Sequence, residues 1–280
     1  MSEQKIWFIT GTSTGFGRTL AELLIEKGAK VVATARDLSK IEDLELLAPE
    51  RVKAVQLDVQ NEEAARQAIQ SAVDAFGRID VVVNNAGYGL IGALEELSLA
   101  EIRNQFETNV FGVIHVTKAA IPLFRKQQTG HFINISSVGG VIGSAGVGIY
   151  NSSKFALEGI SEALAEELAP LGVKTTIIEP GAFRTDWAGR SLVRSNPIEE
   201  YDQTAGATRH RIVSNNGKQK GDPRILAEIL VRVTEEENPP LRLPLGTDVY
   251  DRIRLKLEGQ LEDLHQWRDL TISTDFKKLV

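Results

Sequence analysis

Short apolar runs alternate with amphipathic stretches of helical length along the first two-thirds of the chain. "KIWFIT" gives way to "GRTLAELLIEKG", "AKVVATA" to "DLSKIEDLELL", and "RVKAVQLD" follows. The apolar runs are near-continuous at their centres, as strands covered on both faces are. The stretches between them have the apolar spacing of a helix packed on one side. The alternation predicts βαβ units, hence an α/β fold with a doubly wound parallel sheet and helices on both faces. It continues with "EEAARQAIQSAVDAFG" as a helix, "RIDVVVNN" as a strand and "LAEIRNQFETNVFGVIHVTKAAIPLFRKQQ" as one long helix. "GHFINISS" is then a strand, "GIYNSSKFALEGISEALAEELAPLG" a helix and "VKTTIIEP" the sixth strand.

After "EPGAF" the rhythm breaks. Residues 184–221 are polar and weakly periodic, the signature of a substrate loop or lid in a compact α/β protein. A helix at "DPRILAEILVRVTEEE" and a short run at "PPLRLPLG" then predict a seventh strand, so the sheet has about seven. Residues 247–280 read as a helical extension, either packed on the body or used in an oligomer. No repeat or low-complexity segment divides the chain, and residues 1–280 are expected to form one domain.

Composition narrows the chemistry. Against 38 acidic residues stand 32 Lys and Arg, a formal charge of −6, which favours neither nucleic acid nor an anionic membrane as partner. Without cysteine there are no disulfides, thiolate nucleophiles or thiolate zinc sites. His115, His131, His210 and His265 share no ligand spacing, so no metal is expected. The start, "MSEQKIWFITG", lacks the long apolar stretch of a signal peptide, and no later segment is apolar enough to span a bilayer. A cytoplasmic protein is the expectation.

Two local patterns carry chemistry. "TGTSTGFG", residues 10–17, follows the first strand and opens the first helix. Its glycines permit a tight turn and close backbone approach, and the helix start offers free N–H groups and its dipole to a pyrophosphate. The other pattern is "GIYNSSK", in which Tyr150 and Lys154 share one helix face. Among Tyr88, Tyr150, Tyr201 and Tyr250, only Tyr150 has a lysine four positions on. Free tyrosine, with a pKa of ~10, is a poor acid or base at neutral pH, and a neighbouring cation lowers that value by stabilising the phenolate.

The glycine spacing, "NNAG" at residues 84–87 and the Tyr-x-x-x-Lys pair together resemble the short-chain dehydrogenases/reductases. The resemblance runs over about residues 5 to 185, and more loosely to "PPLRLPLG". It implies a Rossmann-like fold and a nicotinamide cofactor held by Gly11, Thr12, Ser13, Gly15, Phe16 and Gly17 in the first turn. Asp58 and Val59 after the third strand and Asn85, Ala86 and Gly87 after the fourth would line its adenine side. Asp58 has a second reading, as the cap of the next helix. Pro180, Gly181 and Thr185 would lie at the nicotinamide.

In the family an aspartate at the position of Ala35 goes with NAD, and an arginine at the position of Arg36 with NADP. Guanidinium pairs bidentately with a 2′-phosphate, so NADP(H) is expected, with NAD(H) as the alternative. Asp37 is read as the N-cap of the helix at "LSKIEDL".

The resemblance assigns catalysis to Ser137, Tyr150, Lys154 and Asn109. Tyr150 would exchange a proton with a carbonyl or alcohol oxygen that Ser137 holds, and Ser136 is the less favoured serine. Lys154 would lower the Tyr150 pKa and bind the nicotinamide ribose, as Tyr150 also would, and Asn109 would anchor a water. The expected activity is hydride transfer between NADP(H) and a small-molecule carbonyl or secondary alcohol. Phe183, Trp187, Tyr88, Val138 and Ile142 are candidates for an apolar substrate wall. A homo-oligomer, dimer or tetramer, is implied through the fourth and fifth helices. The alternatives are a cofactor-sensing regulator, which typically lacks a catalytic residue, and a nucleotide-sugar epimerase or dehydratase, which usually has a tighter glycine spacing.

Overall fold

The computed structural model of the chain describes residues 4–276. The outermost residues of the expected 1–280 domain and of the 247–280 extension lie outside the described residues. The chain runs β1 (Ile6–Ile9), α1 (Gly15–Glu26), β2 (Lys30–Ala35), α2 (Glu42–Leu47), β3 (Val52–Gln56), α3 (Glu62–Phe76), β4 (Val81–Asn84) and β5 (Gly89–Ile91). It continues with α4 (Leu99–Phe106), α5 (Gly112–Gln127), β6 (Gly130–Ile135), α6 (Gly148–Leu168), β7 (Val173–Pro180), β8 (Leu192–Arg194), α7 (Ala207–Ser214), α8 (Pro223–Glu235), β9 (Arg242–Leu245), α9 (Thr247–Gln266) and α10 (Arg268–Ile272).

Seven strands form one parallel sheet in the order β3-β2-β1-β4-β6-β7-β9. Side chains alternate across it as strand geometry requires. Trp7 and Ile9 join a core with α1, α2 and α8, whereas Phe8 joins a second core with α3, α5 and α6. The doubly wound arrangement is thus as the alternation predicts. Strand order reverses between β1 and β4, which opens a crevice at their carboxyl ends, where such sheets bind ligands.

Three elements depart from expectation. The stretch "DLSKIEDLELL" is a 3₁₀ turn, Leu38–Lys40, followed by the short α2, because Ile41 is drawn completely into the core. Asp37 therefore caps that turn, accepting from the Ser39 amide, and not an α-helix. The expected long helix of 99–128 is α4 and α5 joined by a π-helical turn, Glu107–Phe111.

The third departure lies in residues 184–221, which are more structured than their weak periodicity suggests. They carry β8, parallel to β5 in a separate two-stranded sheet, and α7. Three-residue strands stabilised by tertiary pairing leave no periodic trace. At the carboxyl end Val249 is buried, but residues 251–276 are almost all exposed. Among the described residues no helix is long and apolar enough to cross a membrane.

Candidate active site

A cavity of about 1030 Å³ lies over the carboxyl ends of the sheet. Gly11, Ser13, Gly15 and Phe16 form one wall. Gly11 has φ +71, and a Cβ there would come within 2.9 Å of the Ala86 Cα. The turn is therefore specific for glycine. A Cβ on Gly17 would lie 2.5 Å from both the Gly11 carbonyl oxygen and Asn85 Nδ2, so α1 can start this close to β1 only without a side chain. Thr14 at the N-cap makes no side-chain hydrogen bond, and no acidic residue stands in the first turn of α1. The first amides of this twelve-residue helix are left for an anion.

At the adenine end, Ala35 closes β2 and Arg36 lines the cavity, exposed and without an ion pair among the described residues. The neighbouring Asp37 is turned to its own helix start, where Oδ1 accepts from the Ser39 amide and hydroxyl at 3.1 and 2.7 Å. Asp58 and Val59 also line the cavity. Asp58 accepts from the Gln60 amide, and it is Asn61 that caps α3, so the second reading of Asp58 is set aside. The uncapped helix start, the glycine cradle and the free guanidinium fit a dinucleotide.

Asn85, Ala86 and Gly87 line the cavity too, and they brace the glycine turn as well. Asn85 Nδ2 donates to the Thr10 and Gly11 carbonyls at 2.8 and 3.0 Å, and the Ala86 amide donates to Thr10 Oγ1. Thr12 and Gly17 do not face the cavity. Thr12 is completely buried and turned to the Thr34 carbonyl, and Gly17 packs against Gly11. Their contribution is to the shape of the turn rather than to ligand contact.

Ser137, Tyr150, Lys154, Pro180, Gly181 and Thr185 form a second stretch of wall, which meets the glycine turn where a Cβ on Gly15 would lie 3.8 Å from Thr185 Cβ. Ser137 follows β6, and its Oγ accepts from the Gly139 amide, which fixes the side chain. Tyr150 and Lys154 lie on the first turns of α6, with the ammonium 5.9 Å from the ring centroid. Lys154 is buried and donates to the Ile135 carbonyl at 2.8 Å.

The ionisation of this pair departs from expectation. Although part of Tyr150 faces the cavity, burial pushes its hydroxyl up to about 12, against a downward pull from the Ser137 hydroxyl. Burial likewise pushes Lys154 down to about 8, with Glu158 pulling it back up. The lysine charge is directed at Ile135, so burial, and not the lysine, dominates the proton affinity of the tyrosine in this arrangement.

Asn109 stands behind the wall, not in it. The π-helical turn carries it inward, where Oδ1 accepts from the Tyr88 amide and Nδ2 donates to the Tyr88 carbonyl and Ser153 Oγ. Such one-turn bulges recur at functional sites. A Cβ on Gly87 would meet Asn109 Oδ1 at 3.1 Å and Lys154 Nζ at 3.8 Å, so amide and ammonium border one small space.

Phe183, Trp187, Tyr88, Val138 and Ile142 all line the cavity. The Trp187 ring lies 5.4 Å from that of Tyr150, and Val147 and Ile212 join their apolar cluster. Sequence reasoning missed two residues. Asn151, next to Tyr150, accepts from the Ser144 amide and so anchors the loop between β6 and α6. Glu96, whose side chain is fully buried, receives hydrogen bonds from Ser195, Ile198 and Arg209 and ties the 184–221 segment to the body. Glu96 lies in no motif, and Asn151 occupies a position that the Tyr-x-x-x-Lys pattern leaves open, so its only signal is its adjacency to Tyr150.

Known proteins share this architecture. The sequence profile described as short chain dehydrogenase matches residues 5–194. Oxidoreductase BOA17 of Botryotinia fuckeliana is 40% identical over 271 residues, covering 96% of this chain and 99% of its own length. The crystal structure of a short-chain dehydrogenase from Streptomyces avermitilis superposes with a TM-score of 0.91 at 38% identity, covering 99% of this chain and 100% of that one. A short chain dehydrogenase/reductase from Burkholderia phymatum, in complex with NAD, gives 0.80 at 25% identity, covering 96% and 95%. With the glycine turn, the cavity and the Tyr-x-x-x-Lys pair in the places described, this chain belongs to the short-chain dehydrogenase/reductase family of nicotinamide-dependent oxidoreductases.

Proposed function

We propose that the protein interconverts a carbonyl compound and its secondary alcohol with NADP(H), Tyr150 acting as the general acid and base. The observation that carries this reading is the hydroxyl pair of Ser137 and Tyr150 on the wall of the cavity that the glycine turn also lines, with Lys154 buried beneath it. NADP(H), when bound, supplies or takes up the hydride. A tyrosine held at about 12 stays protonated across neutral pH, so it is loaded to donate to a carbonyl oxygen. Ser137, fixed by Gly139, would hold that oxygen. Asn109 and Lys154 border a space in which a water would return the proton from solvent. Arg36, which makes no ion pair among the described residues, favours the 2′-phosphate of NADP over NAD. Trp187, Val138, Ile142 and Ile212 favour a substrate with an apolar body beside its carbonyl.

The test is a panel of ketones, aldehydes and secondary alcohols followed by NADPH absorbance, with Tyr150→Phe beside the native enzyme. The variant is expected to lose about a hundred- to ten-thousand-fold in kcat, the usual worth of a general acid, with NADPH binding largely intact. Substantial residual turnover in Tyr150→Phe would remove Tyr150 from this role.

A further inference from the structure

A second group of ionisable side chains lies directly behind the wall just described. Glu158 is one turn beyond Lys154 on α6, Glu179 immediately precedes Pro180 at the end of β7, and Ser136 precedes Ser137. Glu158 and Glu179 are 6% and 2% exposed. Both face one cation: Arg242 Nε of β9 is 3.2 Å from Glu158 Oε2 and 3.7 Å from Glu179 Oε1. Arg242 Nη2 is engaged at the rim, donating to Glu162 Oε2 at 2.8 Å. Glu158 Oε1, Glu179 Oε1 and Ser136 Oγ are buried and make no hydrogen bond of ordinary geometry among the described residues, although the Ser136 hydroxyl stands near enough to Glu158 to favour its ionised form.

Two buried carboxylates on one guanidinium, each with an orphan oxygen, are expensive to keep ionised together, and such pairs hold a proton jointly. The charged and titratable groups facing them are Lys154, Glu162 and Arg242, with Ser136 as the neutral neighbour. Of these carboxylates, Glu158 is the one that pulls on Lys154.

Building on the role proposed for Lys154, we propose that Glu158 and Glu179, clamped by Arg242, share one proton and act as a positioning unit that sets the ionisation of Lys154 and, through it, the pH range in which Tyr150 exchanges its proton. The electrostatics run the same way. Burial, with Glu158 adding to it, pushes Glu179 up to about 7. Burial also pushes Glu158 up, while Ser136, Arg242 and Lys154 pull it down. As the shared proton leaves, more negative charge faces Lys154 and its ammonium is held to higher pH.

The test titrates the full chain by NMR with isotopically labelled glutamate carboxyls and lysine side chains. Resonances are assigned through Glu158→Gln, Glu179→Gln and Lys154→Met. The expected native result is one carboxyl of the pair titrating near neutrality, and either glutamine substitution moves the titration of the remaining carboxyl to lower pH. Glu158→Gln lowers the Lys154 midpoint by about one pH unit, the lower end of what an adjacent opposite charge contributes. The alkaline limb of kcat/KM for carbonyl reduction, where the ammonium is lost, moves to lower pH with it, and Glu158→Asp restores the limb. The proposal is overturned if the native pair shows no near-neutral titration, or if Glu158→Gln leaves Glu179 and Lys154 titrating where they did. It is equally overturned if kcat falls at every pH with the limb in place. Because the NMR arm needs no turnover, a chain that reduces no carbonyl would refute the proposed function and still decide this point.

Discussion

Replacing Glu96 should open the 184–221 segment while leaving the sheet intact. The Glu96 side chain is fully buried in the turn before α4. Oε2 accepts from the Ala93 amide at 2.7 Å, from Ser195 Oγ at 3.2 Å and from Arg209 Nη2 at 2.7 Å, and Oε1 from the Ile198 amide at 2.8 Å. Three of these four partners belong to the segment over the cavity. Arg209 is only 17% exposed and its Nε already lacks a partner, so Glu96→Ala would strand a half-desolvated charge. Removing one member of a buried pair costs about 3–5 kcal/mol, and Glu96→Gln, which keeps the shape, about 1.5–3 kcal/mol. Because the lost bonds hold one segment, most of that cost should appear as local opening, at about tenfold in open population for each 1.4 kcal/mol.

Amide hydrogen exchange reads this directly. The Ile198 amide and its neighbours up to Ile212 should lose protection in Glu96→Ala and less so in Glu96→Gln, with the strands unchanged and KM for the substrate raised. Acidification should mimic the substitution. Burial pushes the Glu96 carboxyl up, but the Ile198 and Ala93 amides and Arg209 outweigh it and hold it below the ordinary range. Its grip is therefore complete above the ordinary carboxylate pKa and is lost as pH falls through the lowered value. Global destabilisation with unchanged exchange in the segment would refute the reasoning.

Three further outcomes follow from single contacts. Arg36→Ala should cut kcat/KM for NADPH by about ten- to a hundredfold, the worth of one charge-assisted hydrogen bond or two, and leave NADH use nearly unchanged; equal losses with both cofactors would remove Arg36 from phosphate binding. Gly17→Ala places a Cβ 2.5 Å from a backbone carbonyl oxygen, so denaturant unfolding should show a loss of about 1–3 kcal/mol, accompanied by weaker NADPH binding in a fluorescence titration. Glu179→Gln should change the pH dependence of stability: the native carboxyl is raised from 4.5 to about 7, so its contribution is full below the ordinary pKa and is lost as pH rises through 7. The variant should then gain on the native protein by up to about 3 kcal/mol between pH 5 and pH 8, and parallel denaturant curves at the two pH values would contradict this.

What the chain reveals by pattern is what depends on local spacing. The alternation of apolar runs and amphipathic stretches fixes β1 to β4, β6, β7 and β9 because each is long enough for its burial to leave a trace, and Tyr150 and Lys154 are legible because one helix carries both. The π-helical turn at Asn109 is different: one extra residue in a turn leaves the apolar pattern of 99–128 looking like a single helix. The pairing of β5 with β8 is hidden for a related reason, since Gly89 is small only so that Trp187, far along the chain, can sit on it. The buried glutamates are invisible as such. A glutamate in "FALEG" or "IIEPG" has no sequence mark that distinguishes it from one on a solvated face, and only the fold brings both to Arg242.

The site therefore has two layers with different origins. The motif residues that face the cavity are backed by others that do not: Asn109 behind Gly87 and Ser153 beneath Tyr150, through its bond to the Tyr150 carbonyl, and, with no pattern to announce them, Glu158 behind Lys154 and Glu179 behind Pro180. The tyrosine hydroxyl is pushed up and the lysine ammonium pushed down by the same burial, so neither sits at its ordinary proton affinity before any ligand arrives. Two groups displaced in opposite directions by one environment are sensitive to any charge placed in that environment. Phosphates entering at the glycine turn and a proton leaving the Glu158–Glu179 pair both add negative charge, and both therefore favour the ammonium form of Lys154. Substitutions in the front layer should thus alter the rate at every pH, whereas substitutions in the layer behind it should move the pH at which the rate is attained.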